Sequence, residues 1–323
     1  MKHKVKIKKV VAFLVYNFLL AAILAPLIVF WGPFQDIKAL AVGSIATSRH
    51  PQVVQAFLSQ AEIDQIMNYY NDQGVSSGGQ IDSGNAVSDA ADGITIEDIQ
   101  GLGFRGKVML IKDPKQVKLA VTKQIGVVGE RVSELVKDSG AIAGINAGGF
   151  YDPNGKGNGA FPDGITVHNG QIIHNNIGNA ETHIIGLDSQ GKLIVEDLTA
   201  DQILKKGIME AVSFYPDLVK DGKPVVEGNG GWGISPRSGI GQTADGTIIL
   251  VTIDGRQPTW SIGATLSQLM DVFVAYHAVT AVNLDGGSST TLVFQGKVIN
   301  KVCDIFGERY IPTAFVVMPK KSK

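Results

Sequence analysis

The chain has a single cysteine, Cys303, in 323 residues. That excludes a disulfide framework within the chain and a cysteine-built zinc site. The histidines number six, and His168, His174 and His183 fall at no zinc-ligand spacing, so they read as ordinary strand histidines. No G-x-S-x-G elbow surrounds Ser288 or Ser289, which disfavours a serine esterase. A cationic body is missing too. Lys2, Lys4, Lys6, Lys8 and Lys9, with Lys320, Lys321 and Lys323, put eight of the 29 cations in the tails, leaving 21 against 30 acids. Such a body is a poor surface for nucleic acid, whose binding rests on Lys and Arg neutralising phosphates. No internal repeat recurs at a fixed period. Charged residues are only 18% of the chain and hydrophobic ones 44%, so a substantial core is available and wholesale disorder is excluded.

Residues 10–31, VVAFLVYNFLLAAILAPLIVFW, are 22 positions without a charge, enough to cross a hydrocarbon core of about 30 Å. Five lysines precede this run and no comparable cluster follows it. The positive-inside rule therefore puts residues 1–9 in the cytoplasm as a basic tail and everything after Trp31 outside. A cleaved signal peptide is the rival reading. Its apolar region is shorter, but Ala39-Leu40-Ala41 would supply the small-x-small site. Placed outside, Cys303 reads as a buried hydrophobe before a reactive thiol.

Beyond the span, residues 51–70 show helical spacing at Val54, Phe57, Leu58 and Ile66. Residues 71–93 hold 15 Gly, Ser, Asn or Asp in 23 positions, a composition that suits a flexible stalk. The organisation expected is a membrane anchor at 10–31, a stalk at 32–92 with one helix, and a single catalytic domain over 93–323.

Gly is abundant, 39 residues, and tight turns follow from it. Two apolar runs in 105–122 read as strands around Lys112-Asp113-Pro114, and an amphipathic stretch at 128–136 leads to the strand AIAGI at 141–145. Asn169-Gly170 between alternating runs is a type I′ hairpin signature. GTIILVTID at 246–254 reads as a strand. TLSQLMDVFVAYHA at 265–278 reads as a helix with Leu266, Leu269, Val272, Phe273 and Tyr276 inward, and VTAVNL at 279–284 as a second strand. Strand, helix, strand over about 40 residues is a βαβ unit, giving a mixed α+β fold around a mixed sheet with two parallel strands. Parallel neighbours end on one edge of a sheet, so Asp254 and Asp285 are expected on one rim, where such sheets place ligands. Asn146 joins them if its strand is parallel too.

Two motifs are rejected. Gly228-x-Gly230-x-x-Gly233 imitates a dinucleotide fingerprint, but no helix opens after it and Pro236 interrupts. A loop presenting Arg237 is the better reading. Asp152 to Asp163 half matches a calcium loop, with Lys156 where a ligand oxygen belongs. No metal and no cofactor are therefore expected.

Five blocks, in order, carry a resemblance: Ile145-Asn146-Ala147-Gly148-Gly149-Phe150-Tyr151, Pro236-Arg237-Ser238-Gly239-Ile240-Gly241, Asp254-Gly255-Arg256, Asn283-Leu284-Asp285-Gly286-Gly287-Ser288-Ser289-Thr290, and Arg309-x-x-Pro312. Together, over about residues 100–318, they resemble the phosphodiester glycosidase family of N-acetylglucosamine-1-phosphodiester α-N-acetylglucosaminidase type. Bacterial relatives are often labelled exopolysaccharide biosynthesis proteins. The chain departs mildly, with Ser288 where many relatives have a third Gly, and Ser238 where Thr is common.

The resemblance implies hydrolysis of a sugar-1-phosphodiester between the anomeric carbon and the phosphate oxygen, on a glycan or sugar-phosphate partner. A phosphodiester leaves as a weakly basic anion, so it needs charge stabilisation, which Arg237 and Arg256, with Arg309 behind them, are suited to supply. Glycosidases commonly use two carboxylates, and Asp254 and Asp285 are the expected catalytic pair. Asn146, Gly148, Gly149, Asn283, Gly286, Gly287, Ser288 and Ser289 are the expected substrate contacts. Two rivals stay open: a non-catalytic glycan-binding or assembly module, and a metal-dependent hydrolase using Asp254 and Asp285 as oxygen ligands.

Overall fold

The computed structural model describes residues 2–46, 52–72, 81–89, 91–257 and 259–320. Helix α1 (Lys2–Trp31) contains a 24-residue apolar stretch, Lys8–Trp31, of mean hydropathy 2.4. At 1.5 Å per residue it is long and apolar enough to cross a membrane. Such a helix fits a single-pass anchor or a signal sequence. Helix α2 (Gln35–Ala46) follows. The helix expected over 51–70 is instead two, α3 (Gln52–Gln55) and α4 (Gln60–Asp72). Ser59 interrupts it: its hydroxyl accepts from the Glu62 N–H, and the Glu62 carboxylate accepts from the Ser59 N–H and O–H. This capping box starts a new helix rather than extending the old one. Phe30, Val42, Val54, Leu58 and Ile63 form a small core of these helices.

The rest of the chain runs β1 (Asp82–Asp89), β2 (Ile94–Gly101), β3 (Phe104–Ile111), β4 (Val117–Val121), α5 (Val132–Asp138) and β5 (Ala143–Asn146). It continues through β6 (Ile165–His168), β7 (Gln171–Asn175), β8 (Thr182–Asp188), β9 (Leu193–Leu198), α6 (Ala200–Lys205), β10 (Ile208–Ser213), β11 (Asp217–Lys220) and β12 (Lys223–Pro224). Last come β13 (Arg237–Thr243), β14 (Ile248–Ile253), α7 (Leu266–Ala275), β15 (Ala278–Leu284), β16 (Leu292–Phe294), β17 (Lys297–Val298) and β18 (Thr313–Val317). Three sheets result, in the orders β1-β2-β3-β14-β13-β15-β11-β12, β7-β6-β10-β8-β9 and β17-β16-β5-β18-β4. The fold is mixed α+β, as expected.

The sheets enclose one core. Ile94, Met109, Ile240, Leu250 and Leu284 of the first sheet meet Leu119, Ile145 and Phe315 of the third and Ile185, Leu187 and Val212 of the second. Each sheet carries a helix on its other face: α7 on the first, α6 on the second, α5 on the third. Helix α7 is capped by Thr265, whose hydroxyl accepts from the Gln268 N–H. It buries Leu266, Leu269, Val272 and Phe273, as its spacing dictates. It also packs unusually close to the sheet: a Cβ on Gly239 or Gly241 would lie 2.7–2.8 Å from the Phe273 ring. The Asn169-Gly170 turn has φ of 51° and 75°, as a type I′ hairpin requires.

Three expectations are corrected. β14 and β15 are parallel, but they are not neighbours. β13 lies between them and pairs antiparallel with both, and every hydrogen-bonded pair among the described strands is antiparallel. A sequence pattern gives strand direction through the crossover helix, not which strand fills the gap. The runs in 105–122 are strands, but β3 and β4 belong to different sheets. Finally, Asp82–Asp89, expected within the stalk, pairs with β2 from Asp82↔Gln100 to Asp89↔Ile94. Its side chains are almost wholly exposed, so a polar composition was no obstacle: an edge strand needs only backbone partners on one side. Residues 73–80 of that segment lie outside the described residues.

Candidate active site

The ends of β14 and β15 flank the start of β13. Arg237 pairs with Ile253 and Ser238 with Leu284, so Asp254 and Asp285 leave the sheet at the same rim. The two strands are separated by β13, which sets their ends about 10 Å apart, two strand spacings.

Asp254 is buried, and its carboxylate accepts from three donors. Trp260 Nε1–H donates to Oδ2 at 2.8 Å, while the Lys301 N–H at 2.9 Å and Asn300 Nδ2 at 3.4 Å donate to Oδ1. Burial raises its pKa above the usual carboxylate range, against the opposing pull of these donors and of Lys107. It lines a cavity of about 550 Å³ whose wall includes Arg105, Lys107, Trp260 and Lys301, and on one side Asp82 to Asn85 of β1. Arg105 and Lys301 stand 4.4 and 5.0 Å from the Trp260 ring centroid.

Asp285 is partly exposed and has different neighbours. Its N–H donates to Ala147 O at 3.1 Å, and its C=O accepts from Asn146 Nδ2. Burial of the carboxyl pushes its pKa up to about 6. Ser289, Arg309 and the Gly286 N–H favour the charged form, and Asp152 opposes it. Arg309 forms an ion pair with Asp152, donates to Ser288 Oγ at 3.3 Å and lies 4.7 Å over the Phe150 ring. Asp285, Arg309, Ser288 and Ser289 thus come together.

The other expected contacts are mostly framework. Arg237 is buried, donating through Nε to Ala264 O at 3.0 Å and through Nη2 to Trp232 O and Gly233 O at 3.1 and 2.6 Å. Burial, with the nearby Arg256 charge, lowers its pKa to about 9. Nε and Nη2 are spent on carbonyls and hold the 232–237 loop against Ala264. Arg256 has φ +58° and donates to Ser235 Oγ at 3.2 Å, its guanidinium lying over Gly287, where a Cβ would sit 3.2 Å from Nη2. Asn146 accepts from Ser238 Oγ at 2.8 Å and the Thr291 N–H at 3.1 Å. It therefore clamps β5 to the Asp285 turn, although β5 belongs to the third sheet. Asn283 donates to Tyr215 O at 3.0 Å. The Gly287 N–H is taken by Pro236 O at 2.9 Å. A Cβ on Gly148 would meet Val212 at 2.7 Å, and one on Gly286 would meet Pro236 O at 2.8 Å, so both glycines serve close packing. Cys303 contacts Arg256 and Gly287 O, and burial raises its thiol pKa, which suits an inert side chain.

Sequence reasoning missed Asp152, Asp163, Trp260 and Lys301. Asp152 and Asp163 fall at the ends of the rejected calcium pattern. Among the described residues no group of three His, Cys, Asp or Glu is placed to hold a metal ion.

Comparison with known proteins places the chain in a family and a fold. Residues 139–318 match the family model for phosphodiester glycosidase, more than half of the chain and all five blocks. A curated relative, an uncharacterized protein YomE derived from the SPbeta prophage of Bacillus subtilis (strain 168), is 29% identical over 196 residues, 59% of this chain and 30% of that protein. The chain thus spans under a third of that relative's length. Among solved structures, the zebrafish N-acetylglucosamine-1-phosphodiester alpha-N-acetylglucosaminidase catalytic domain, auto-inhibited by its pro-peptide, superposes with a TM-score of 0.58. Its identity is 20%, and the match covers 78% of this chain and 93% of that one. A hypothetical protein from Synechocystis gives a TM-score of 0.59 at 15% identity, covering 75% and 68%. An exported protein from Burkholderia pseudomallei K96243 gives 0.51 at 19%, covering 69% and 77%. At these identities the likeness is one of fold.

Proposed function

The chain belongs to the phosphodiester glycosidase family, and on that premise we propose that it is a membrane-anchored, extracytoplasmic hydrolase of sugar-1-phosphodiester bonds in cell-wall or exported polysaccharide. The observation that carries the reading is the grouping of Asp285 with Arg309 and Ser288 at the sheet rim. The leaving phosphate sits against Arg309, whose planar fork matches its oxygens. Asp285, with a pKa of about 6, is part protonated near neutrality and hands its proton to a phosphate oxygen as the C1–O bond breaks. Asp254, fixed by Trp260, Asn300 and Lys301, acts as a positioning residue: Asn300 also donates to Thr290 O at 3.1 Å, tying the cavity wall to the 286–290 turn.

The N-terminal helix supports the anchor, and the five lysines before it support an external body. The test is release of reducing sugar by the detergent-solubilised full chain from methyl phosphodiesters of common hexose and N-acetylhexosamine 1-phosphates, with and without chelator. Chelator-insensitive turnover supports the glycosidase. Chelator-sensitive turnover would point to a metal enzyme, and tight glycan binding without turnover to an assembly module.

A further inference from the structure

We propose that Asp163, rather than Asp254, is the carboxylate that works opposite Asp285, taking the proton of the attacking water. The inference deepens the phosphodiester glycosidase reading and rests on it.

Its first support is backbone geometry. The Asp285 N–H is held by Ala147 O at 3.1 Å, and the Asp163 N–H by Gly149 O at 3.0 Å. Ala147 and Gly149 are two residues apart, so the anchoring carbonyls are no more than about 7 Å from each other. The segment that follows β5 is thus a short ruler with one acid at each end. Carboxyl pairs of glycosidases stand about 5–9.5 Å apart, a spacing this ruler allows. Asp254 departs from a strand end about 10 Å away, with β13 between.

The second support is chemical freedom. A base must have a lone pair open to water. Asp163 is exposed, and its carboxylate accepts no hydrogen bond from the described residues. Asp254 is buried and holds Trp260, Lys301 and Asn300 on its oxygens, so little of it is left to accept a proton.

The floor between the two acids is Gly149. A Cβ there would lie 3.3 Å from Asp163 Oδ2 and 3.0 Å from the Phe214 ring, so glycine leaves the acid room against the floor. Phe214 packs with Tyr215 and Trp232, ring centroids 5.3–6.0 Å apart. Tyr215 is 58% exposed and offers a sugar ring an apolar edge. Behind Asp163, His174 is near enough to favour its charged form. Asp152, between Asp163 and Asp285 in electrostatic terms, is paired with Arg309.

The step balances without a further reactant. Water oxygen bonds to C1 and the C1–O(phosphate) electron pair leaves with the phosphate. One water proton passes to Asp163 and the Asp285 proton to the phosphate, yielding a free sugar and a phosphomonoester.

The experiment uses the full chain in detergent with a methyl sugar-1-phosphodiester that the wild type cleaves. Asp163→Asn should lower kcat by about 10²–10⁴-fold, the usual worth of a general base, with KM and Tm little changed. Asp163→Gly should regain turnover in azide and form a glycosyl azide detectable by mass spectrometry, whereas Asp254→Gly should form none. Retention of more than a tenth of kcat in Asp163→Asn overturns the assignment. So does absence of glycosyl azide from Asp163→Gly, which also decides the matter if the Asn variant proves unstable. A wild-type chain that cleaves no diester of the panel overturns the functional reading, and this assignment with it.

Discussion

Asp285→Asn should make the protein more stable and inactive at once. The carboxyl pKa rises from 3.8 to about 6 in the fold, chiefly through burial. Raising it that far costs the ionised form about 3 kcal/mol. Because the folded value is the higher one, the native state binds the proton more tightly. The stability this contributes is complete below about pH 4 and is lost as pH rises through 6. At pH 8 the wild type therefore holds an ionised, poorly solvated carboxylate that asparagine would not have. The attraction to Arg309 is already contained in that shift, and about 3 kcal/mol is a ceiling reached only once the carboxyl is fully ionised. For a body of this size each kcal/mol moves Tm by about 2–4 °C, giving a rise of several degrees. Melting curves of both proteins at pH 4 and pH 8, beside turnover assays, measure it. The expected pattern is near-coincident Tm at pH 4, a higher Tm for the variant at pH 8, and turnover lost by orders of magnitude. A variant that melts lower at pH 8, or a gap identical at both pH values, would refute the reasoning.

The same carboxyl predicts that wild-type kcat/KM falls above about pH 6, as the proton that assists departure is lost; a profile flat from pH 5 to 8 would remove Asp285 as the acid. Asp254→Asn sets an amide N–H against the Trp260 or Lys301 donor and should cost about 1–3 kcal/mol, read as a lower denaturant midpoint. Arg237→Lys forfeits three bonds to backbone carbonyls and should destabilise the fold by about 3 kcal/mol. Its effect should be equal on phosphodiester and aryl glycoside substrates, whereas Arg309→Lys should impair the phosphodiester more. Protease added to intact cells should digest the body and spare the N-terminal lysines; a protected body would reverse the topology.

How far the sequence reached differs between fold and site. Helix α7 was legible because one apolar face repeats at helical spacing, and the 168–171 hairpin because Asn-Gly admits two positive φ values. The common rim of Asp254 and Asp285 followed from strand, helix, strand. What could not be read was β13 lying between those strands, since nothing local in either strand records its neighbour. Arg237 was expected to face phosphate from the family resemblance and its fork geometry; only the folded positions of Ala264, Trp232 and Gly233 show its Nε and Nη2 donors already occupied. Asp163 escaped notice for the opposite reason. Its significance comes from a bond to Gly149, fourteen positions earlier, and from a carboxylate that accepts no donor among the described residues.

The pairing of β1 with β2 bears on where the chain can be cut. A fragment begun at residue 93 keeps every helix and strand from β2 onward yet discards the wall formed by Asp82 to Asn85, opening the cavity beside Asp254 to bulk water. It also strips the outer backbone of Ile94–Gly101, leaving unpaired amides and carbonyls on a strand rich in isoleucine, the kind of border along which molecules stick to one another. Soluble versions should begin no later than Ile81.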